Sequence, residues 1–427
     1  MQNLAPTRHS KFSPSSAHRW MHCHASLVLP QPTERTTSPE AEEGTAAHEL
    51  AAWCMTEGHF DATQWIEPTA SNGVAVTDDM KEFVQVYLNN ILEYWTALSE
   101  GDDNAKFLVE AEVDYSGLVG LEAGEATGTS DCLIIAPAAG IVSVHDLKYG
   151  RGVDVDAVDN EQLRIYALGA ITAYPEETDG CFKVQTVIHQ VRKQRAPKED
   201  SILMSDLLEF ADEVGDAVTR INMLTVDELE LRDYAPDEHA CRFCPHKADC
   251  PAVVALVDAM FEDITGESLD GASAERRNEV IEQATRSVEA IDDAAIDRIY
   301  PSIALIEGWI KAFAEHVESR LNAGAKLATA KLVMGREGNR AWSDPEAVEA
   351  LFKKTFRFKN EDMYKMSLIG IPAAEKLLKD NPTRWARVQE LIVRASSKPV
   401  LAPASDKRPA VEPVAFVDES NNIDDLI

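Results

Sequence analysis

Apolar positions follow two periods along this chain, and the changes between them mark its elements. From Glu42 to Met55, Ala46, Leu50 and Trp53 recur at helical spacing, with His48 on a neighbouring face. A second helix is expected from Asp78 to Leu98, ended by the turn residues Gly101 to Asn104. Lys106 to Tyr115 then alternates as a strand. Leu108, Glu110 and Glu112 would share one face, and Val109, Ala111 and Val113 the other. Leu133 to Ile135 closes one apolar run, Pro137 and Gly140 bracket a short turn, and Ile141, Val142 and Val144 open a second run. That pattern predicts a hairpin. The helix that follows carries Gln162 and Tyr166, four apart and so on one face. Phe182 to Val191 reads as another strand, and helical spacing resumes over about 203–224.

The order helix, three strands, helix, strand predicts an α/β fold with a mixed core. After Pro251 the periodicity is mostly helical, over 252–322 and 345–395, with a small β element and a Gly-containing turn over 326–342 between them. Residues 396–415 are rich in Pro, Ala and Ser and read as a linker. Phe416 to Ile427 is acidic with scattered apolar residues. The expected domains are therefore 1–255, a mainly helical 256–395, and a linker with an acidic tail over 396–427.

Composition narrows the function. The chain has 427 residues and a formal net charge of −32, which argues against broad, nonspecific phosphate binding. Any nucleic-acid site must be a local basic strip, or a metal site that offsets the repulsion. No run approaches the ~20 apolar residues of a membrane span. The first residues lack an apolar signal core, so a cytoplasmic chain without a membrane partner is expected.

The candidate chemistry centres on the hairpin. Asp146 and Lys148 share a strand face, and Asp131 lies in the partner strand. Two carboxylates and a lysine at one end of a hairpin suit a hard divalent cation and the water it activates. Ordinary strand-end polarity is the plain alternative, since Asp is common at turns. His48 reads either as a structural histidine or as a third, helix-borne ligand. Cys241, Cys244 and Cys250 form a C-x2-C-x5-C set, a strong metal signal in a chain of this kind. Cys23, His239 or His246 could complete it. Cys54, Cys132 and Cys181 read as core residues. Arg192, Lys193, Arg195 and Lys198 are the densest basic run, suited either to a DNA backbone or to a solvated strand end.

These residues carry a resemblance. Glu43-Gly-Thr-Ala-Ala-His48, Gly128-Thr-Ser-Asp131, Asp146-Leu-Lys148 and Gln162-x3-Tyr166 resemble the PD-(D/E)XK nuclease superfamily. The branch is the one typified by the RecB nuclease domain, AddB and Cas4. One early cysteine with three late ones is similar to its iron–sulfur members. More narrowly, the chain looks like a phage and prophage family of such nucleases, which Gly335 to Trp342 also fits. The likeness covers about residues 12–255. It departs at the second acid, Asp146, which is Glu in many members.

The resemblance implies a restriction-endonuclease-like core, a mixed central sheet flanked by helices, with an added mostly helical C-terminal region. It implies that His48, Asp131, Asp146 and the Leu147 carbonyl hold Mg²⁺ or Mn²⁺, and that Lys148 orients the attacking water. Gln162 and Tyr166 would support the site or the DNA; read from the basic run itself and not from the resemblance, Arg192 and Lys193 would lie on the DNA backbone. Cys23, Cys241, Cys244 and Cys250 would hold a [4Fe–4S] cluster, with zinc as the alternative. The expected function is a metal-dependent deoxyribonuclease, an exonuclease on ends or single strands, working in phage recombination or replication in a bacterial host cell. Read from its own composition and not from the resemblance, the acidic tail would dock on recombination or replication proteins of phage or host, or serve only as a solubilising tail. The competing readings are a catalytically silent nuclease fold that binds DNA or a partner, and a zinc-stabilised interaction protein.

Overall fold

Two capped helices open the main body. Ser38 accepts a hydrogen bond from the Ala41 N–H, and Pro39 occupies the first turn of α1, Pro39–Thr56. Thr77 does the same for Met80 at the start of α2, Asp78–Ser99. Each cap satisfies one N–H that the first helical turn leaves without a partner. The chain is seen here as a computed structural model. It describes residues 10–31, 38–266, 268, 271–287, 292–328, 330–331, 349–350, 353–354, 357, 359, 371–379 and 382–389.

Five strands follow in the order β1 Lys106–Asp114, β2 Thr127–Ala136, β3 Ile141–Leu147, β4 Lys183–His189 and β5 Lys198–Leu203. They form one sheet in that same spatial order. β3 and β4 run parallel, and every other neighbouring pair is antiparallel. The parallel step needs a crossover, which α3, Glu161–Ala173, supplies. Helix α4, Met204–Met223, follows β5.

Helices cover both faces. On one, Ala46, Leu50 and Cys54 of α1 and Val84, Tyr87 and Leu88 of α2 pack on Cys132, Ile134 and Leu147. On the other, Leu163 and Leu168 of α3 and Phe210 and Val214 of α4 pack on Leu133, Ile135, Val142 and Val144. The mixed α/β architecture expected from the sequence is present. Two glycines set the closeness of the second layer. A Cβ on Gly169 would lie 2.5 Å from the Val113 Cβ, and one on Gly128 would lie 2.6 Å from Pro14.

Two details depart from the periodicity. β5 falls where the sequence suggested only a passage into a helix; Lys198, Glu199 and Asp200 make it a polar edge strand without an apolar signature. The alternation expected along β1 also breaks. Phe107 and Val109 pack on the α1–α2 side, while Ala111 and Val113 pack against the α3–α4 core. Glu110 between them has φ +47°, a left-handed conformation rare for this residue type, and the β1–β2 pairing skips it.

The chain divides into two compact units, Met1–Lys326 and Leu327–Ile427. The boundary expected at 255 therefore falls inside the first unit, which continues through α5 Pro251–Thr265, α6 Ala274–Ser287, α7 Asp293–Ile299 and α8 Ile303–Asn322. The second unit has α9 Ile371–Leu378 and α10 Pro382–Gln389. Most of the expected β element at 326–342, together with the linker and the acidic tail, lies outside the described residues. Among the described residues no helix is long and apolar enough to cross a membrane.

Candidate metal centre

The sheet opens at one place. β2 and β3 pair as far as Cys132 and His145, and the next two residues along that register are Asp131 and Asp146. On its other side Asp131 would face Glu110, and that pairing is the one missing from β1–β2. Asp131 thus sits at a double break in the ladder. Its Oδ2 accepts the Leu147 N–H at 2.7 Å, filling the role of a strand carbonyl. Its Oδ1 lies 3.1 Å from Nδ1 of His48, which α1 brings over the strand ends.

Donor atoms of His48, Glu110 and Asp131 all lie within 4.8 Å of one another, close enough to share one cation. The left-handed turn at Glu110 coincides with the face change that brings its carboxylate to this set. Asp146 stands beside the group and is held from the other face. Its Oδ1 accepts from Nε2 of Gln162 at 3.0 Å, and Nζ of Lys148 lies 2.9 Å from its Oδ2. That Oδ2 is buried and makes no hydrogen bond besides the ion pair. Gln162 Oε1 in turn accepts from Nζ of Lys148 at 3.0 Å, and its Nε2 donates to the Tyr166 hydroxyl at 3.1 Å. One amide on α3 therefore brackets both the acid and the lysine of β3.

Burial and the close approach of these groups set their electrostatics. Burial opposes a charge on His48, but the adjoining Asp131 carboxylate outweighs it and holds the imidazole up at about 9. Burial would likewise raise Asp131, yet the His48 charge and the Leu147 N–H keep it below the usual carboxylate range. Asp146 is pushed up, first by burial, with Lys148 pulling it back and Asp131 adding repulsion. The Glu110 carboxyl is pushed up to about 7 by desolvation and then by Asp131. Since Glu110 as a residue remains exposed, that value reflects crowding of its carboxyl rather than an enclosed side chain. In effect a proton on His48 balances the charge of Asp131.

The structure also places the remaining candidates. Cys23, Cys241, Cys244 and Cys250 lie in one neighbourhood, although among the described residues no three of their sulfurs fall within 4.8 Å of one another. Cys23 and Cys241 are buried, and burial raises the Cys241 thiol to about 12. Arg192 is not a free cation. Its Nη1 pairs with Glu43 at 2.7 Å, and its guanidinium lies 4.6 Å from the Tyr149 ring centroid. Lys193 is exposed, with Nζ 3.8 Å from Asp154.

Periodicity did not single out the polar core on the opposite face of β3. Ser143, His145 and His189 are buried there, and burial lowers His145 to about 3 and His189 well below its ordinary range. Burial thus opposes a charge on either imidazole.

Two solved structures resemble the chain weakly. One is a phage related exonuclease from Haemophilus somnus 129PT, at 14% identity and a TM-score of 0.20, covering 50% of this chain and 93% of that one. The other is SSO0001, at 14% identity and a TM-score of 0.21, covering 55% of this chain and 95% of that one. Scores this low carry no argument about fold or activity. The family is shown by a sequence profile that spans most of the chain: matching over residues 9–409, it places the protein in DUF2800, a family described as of unknown function.

Proposed function

We propose that this chain is a metal-dependent nuclease that hydrolyses phosphodiester bonds in DNA, as an exonuclease on ends or single strands. One observation carries the reading. A histidine and two carboxylates converge within 4.8 Å at a break in the sheet, beside an Asp–Lys–Gln bracket on the same strand ends. An oxygen-rich donor set with one imidazole suits Mg²⁺ or Mn²⁺. His48, Glu110 and Asp131 would hold the ion, with Asp146 and the Leu147 carbonyl beside them. When bound, it supplies Lewis-acid stabilisation of charge on the scissile phosphate and makes its water more acidic.

The chain's own residues do the rest. Lys148 has three N–H donors, and Asp146 and Gln162 hold it in place. A remaining donor orients the water that attacks phosphorus. Gln162 keeps the acid and the lysine in register, and Tyr166 keeps Gln162 in place. In a chain at −32 the local balance of charge decides access, so phosphate enters when a cation offsets these acids. The four cysteines offer a sulfur-only set suited to a soft metal centre. A [4Fe–4S] cluster there would tie Ala17–Trp20 and its following turn to the loop before α5. The setting that fits such an enzyme is phage recombination or replication.

Digestion of end-labelled single- and double-stranded DNA, blunt and tailed, with Mg²⁺ or Mn²⁺ tests the reading. Cleavage should require the metal and disappear in Asp131→Asn. A purified parent protein without cleavage of any of these substrates would refute it.

A further inference from the structure

The polar core on the α2 side of β3 is a directed chain of hydrogen bonds. At its outer end the exposed Glu199 carboxylate accepts from the Tyr94 hydroxyl and, at 2.9 Å, from Nε2 of Gln185. A carboxylate only accepts, so the Gln185 amide must turn its NH₂ towards Glu199 and its oxygen inward. That oxygen accepts from the Ser143 hydroxyl at 3.1 Å. Ser143 has one proton and has now used it, so at 3.0 Å its oxygen must accept from Nε2 of His145. His145 then carries its proton on Nε2 and presents a bare Nδ1. The 3.1 Å contact from that nitrogen to Nε2 of His189 must in turn be donated by His189. His189 is left with a bare, buried and unpartnered Nδ1.

The inner end of this chain meets the candidate centre from below. His189 is the register partner of Leu147, and its carbonyl accepts the Lys148 N–H at 3.0 Å. Its ring is fixed edge-on by Tyr87 at 4.9 Å. Tyr94 packs likewise on His145 at 4.8 Å. We propose that Glu199, Gln185, Ser143, His145 and His189 form a positioning relay. The charge of Glu199 at the sheet edge sets the tautomer of His189 four hydrogen bonds away, and that tautomer fixes the strand end that carries Lys148. Its bearing on cleavage rests on the nuclease reading, whereas the tautomer assignment does not.

Replacing Glu199 by Gln removes the element that can only accept. The amide of Gln185 is then free to turn over, and every later bond can reverse. The test is a full-length protein carrying ¹⁵N-labelled histidine and lysine. In the parent, His145 and His189 should both give the ring-nitrogen signature of the Nε2–H tautomer. In Glu199→Gln, a His189 Nδ1–H form should appear and the Lys148 amide resonance should move. Gln185→Leu, which cuts the chain while leaving Glu199 in place, should do the same. Cleavage by Glu199→Gln should fall severalfold at unchanged Mn²⁺ affinity. An Nδ1–H tautomer at either histidine in the parent overturns the proposal. So do unmoved histidine and Lys148 resonances in both variants. An unchanged rate beside a shifted Lys148 amide overturns the positioning role. If the parent cleaves nothing, the nuclease reading falls, and the resonances alone decide the relay.

Discussion

Two buried polar clusters lie on opposite faces of β3 and solve the same problem differently. On one face Asp146 and Lys148, with Asp131 and His48 nearby, are acids held against cations in two ion pairs. On the other face Ser143, His145 and His189 are at least as deeply buried, carry no charge, and use nearly every donor. A neutral network is stable once its hydrogen bonds are made. A cluster of acids is stable only with cations beside it. The difference shows where an added ion has something to do. The acid face keeps a buried carboxylate oxygen, Oδ2 of Asp146, whose only partner among the described residues is a lysine. The histidine face has no such demand for charge.

The largest effect that could break this contrast is at Asp131. Asp131→Asn keeps an oxygen to accept the Leu147 N–H but removes the charge. Cleavage should fall by about a thousandfold or more, while the metal-free melting temperature drops by only the few degrees that the ion pair with His48 contributes. A large loss of stability with activity retained would show that Asp131 is only a strand-end cap. Next comes Lys148→Met, for which a loss in kcat on the order of 10² to 10⁴ is expected with Mn²⁺ affinity nearly unchanged, because Lys148 acts on water and not as a ligand.

The histidines separate the two faces by pH. His48 sits at about 9 in the folded, metal-free chain, above its unfolded value of about 6.5. Its contribution to stability is therefore full below about 6.5 and is lost as pH rises towards 9. Melting curves across that window should drop by a few degrees, and His48→Gln should flatten them. The neutral pair contributes nothing to this slope. Its folded values are depressed, so it costs stability only below about 6.5, as the unfolded histidines take up protons. The smallest effect is Ser143→Ala, which removes two hydrogen bonds from the neutral network. A stability loss of about 1–3 kcal/mol by chemical denaturation is expected.

Much of the acid face was legible in the sequence, and most of the neutral face was not. Alternation along β3 put Asp146 and Lys148 on one face, and helical spacing put Gln162 and Tyr166 on one side of α3. Both patterns survive folding because sheet and helix periods fix side-chain direction. Val109 was expected to share a face with Ala111 and Val113 and does not, since nothing in a period-two pattern announces a left-handed residue inside a strand. Polar residues scattered along β3 and β4 do not announce a network, and only the parallel pairing of the two strands brings His145 and His189 together. β5 was missed because charged side chains mark an edge strand no more than they mark a loop.

In the proposed function the sheet break binds a divalent cation through His48 and its neighbouring acids. Isothermal titration of the metal-free protein with Mn²⁺, in two buffers of different ionisation enthalpy at pH 7.5, tests it most directly. One ion per chain should bind at this site, displacing about one proton from His48 as it does so. Asp131→Asn should lose that binding. Equal Mn²⁺ affinity in parent and Asp131→Asn, with no proton released in either, would contradict the account.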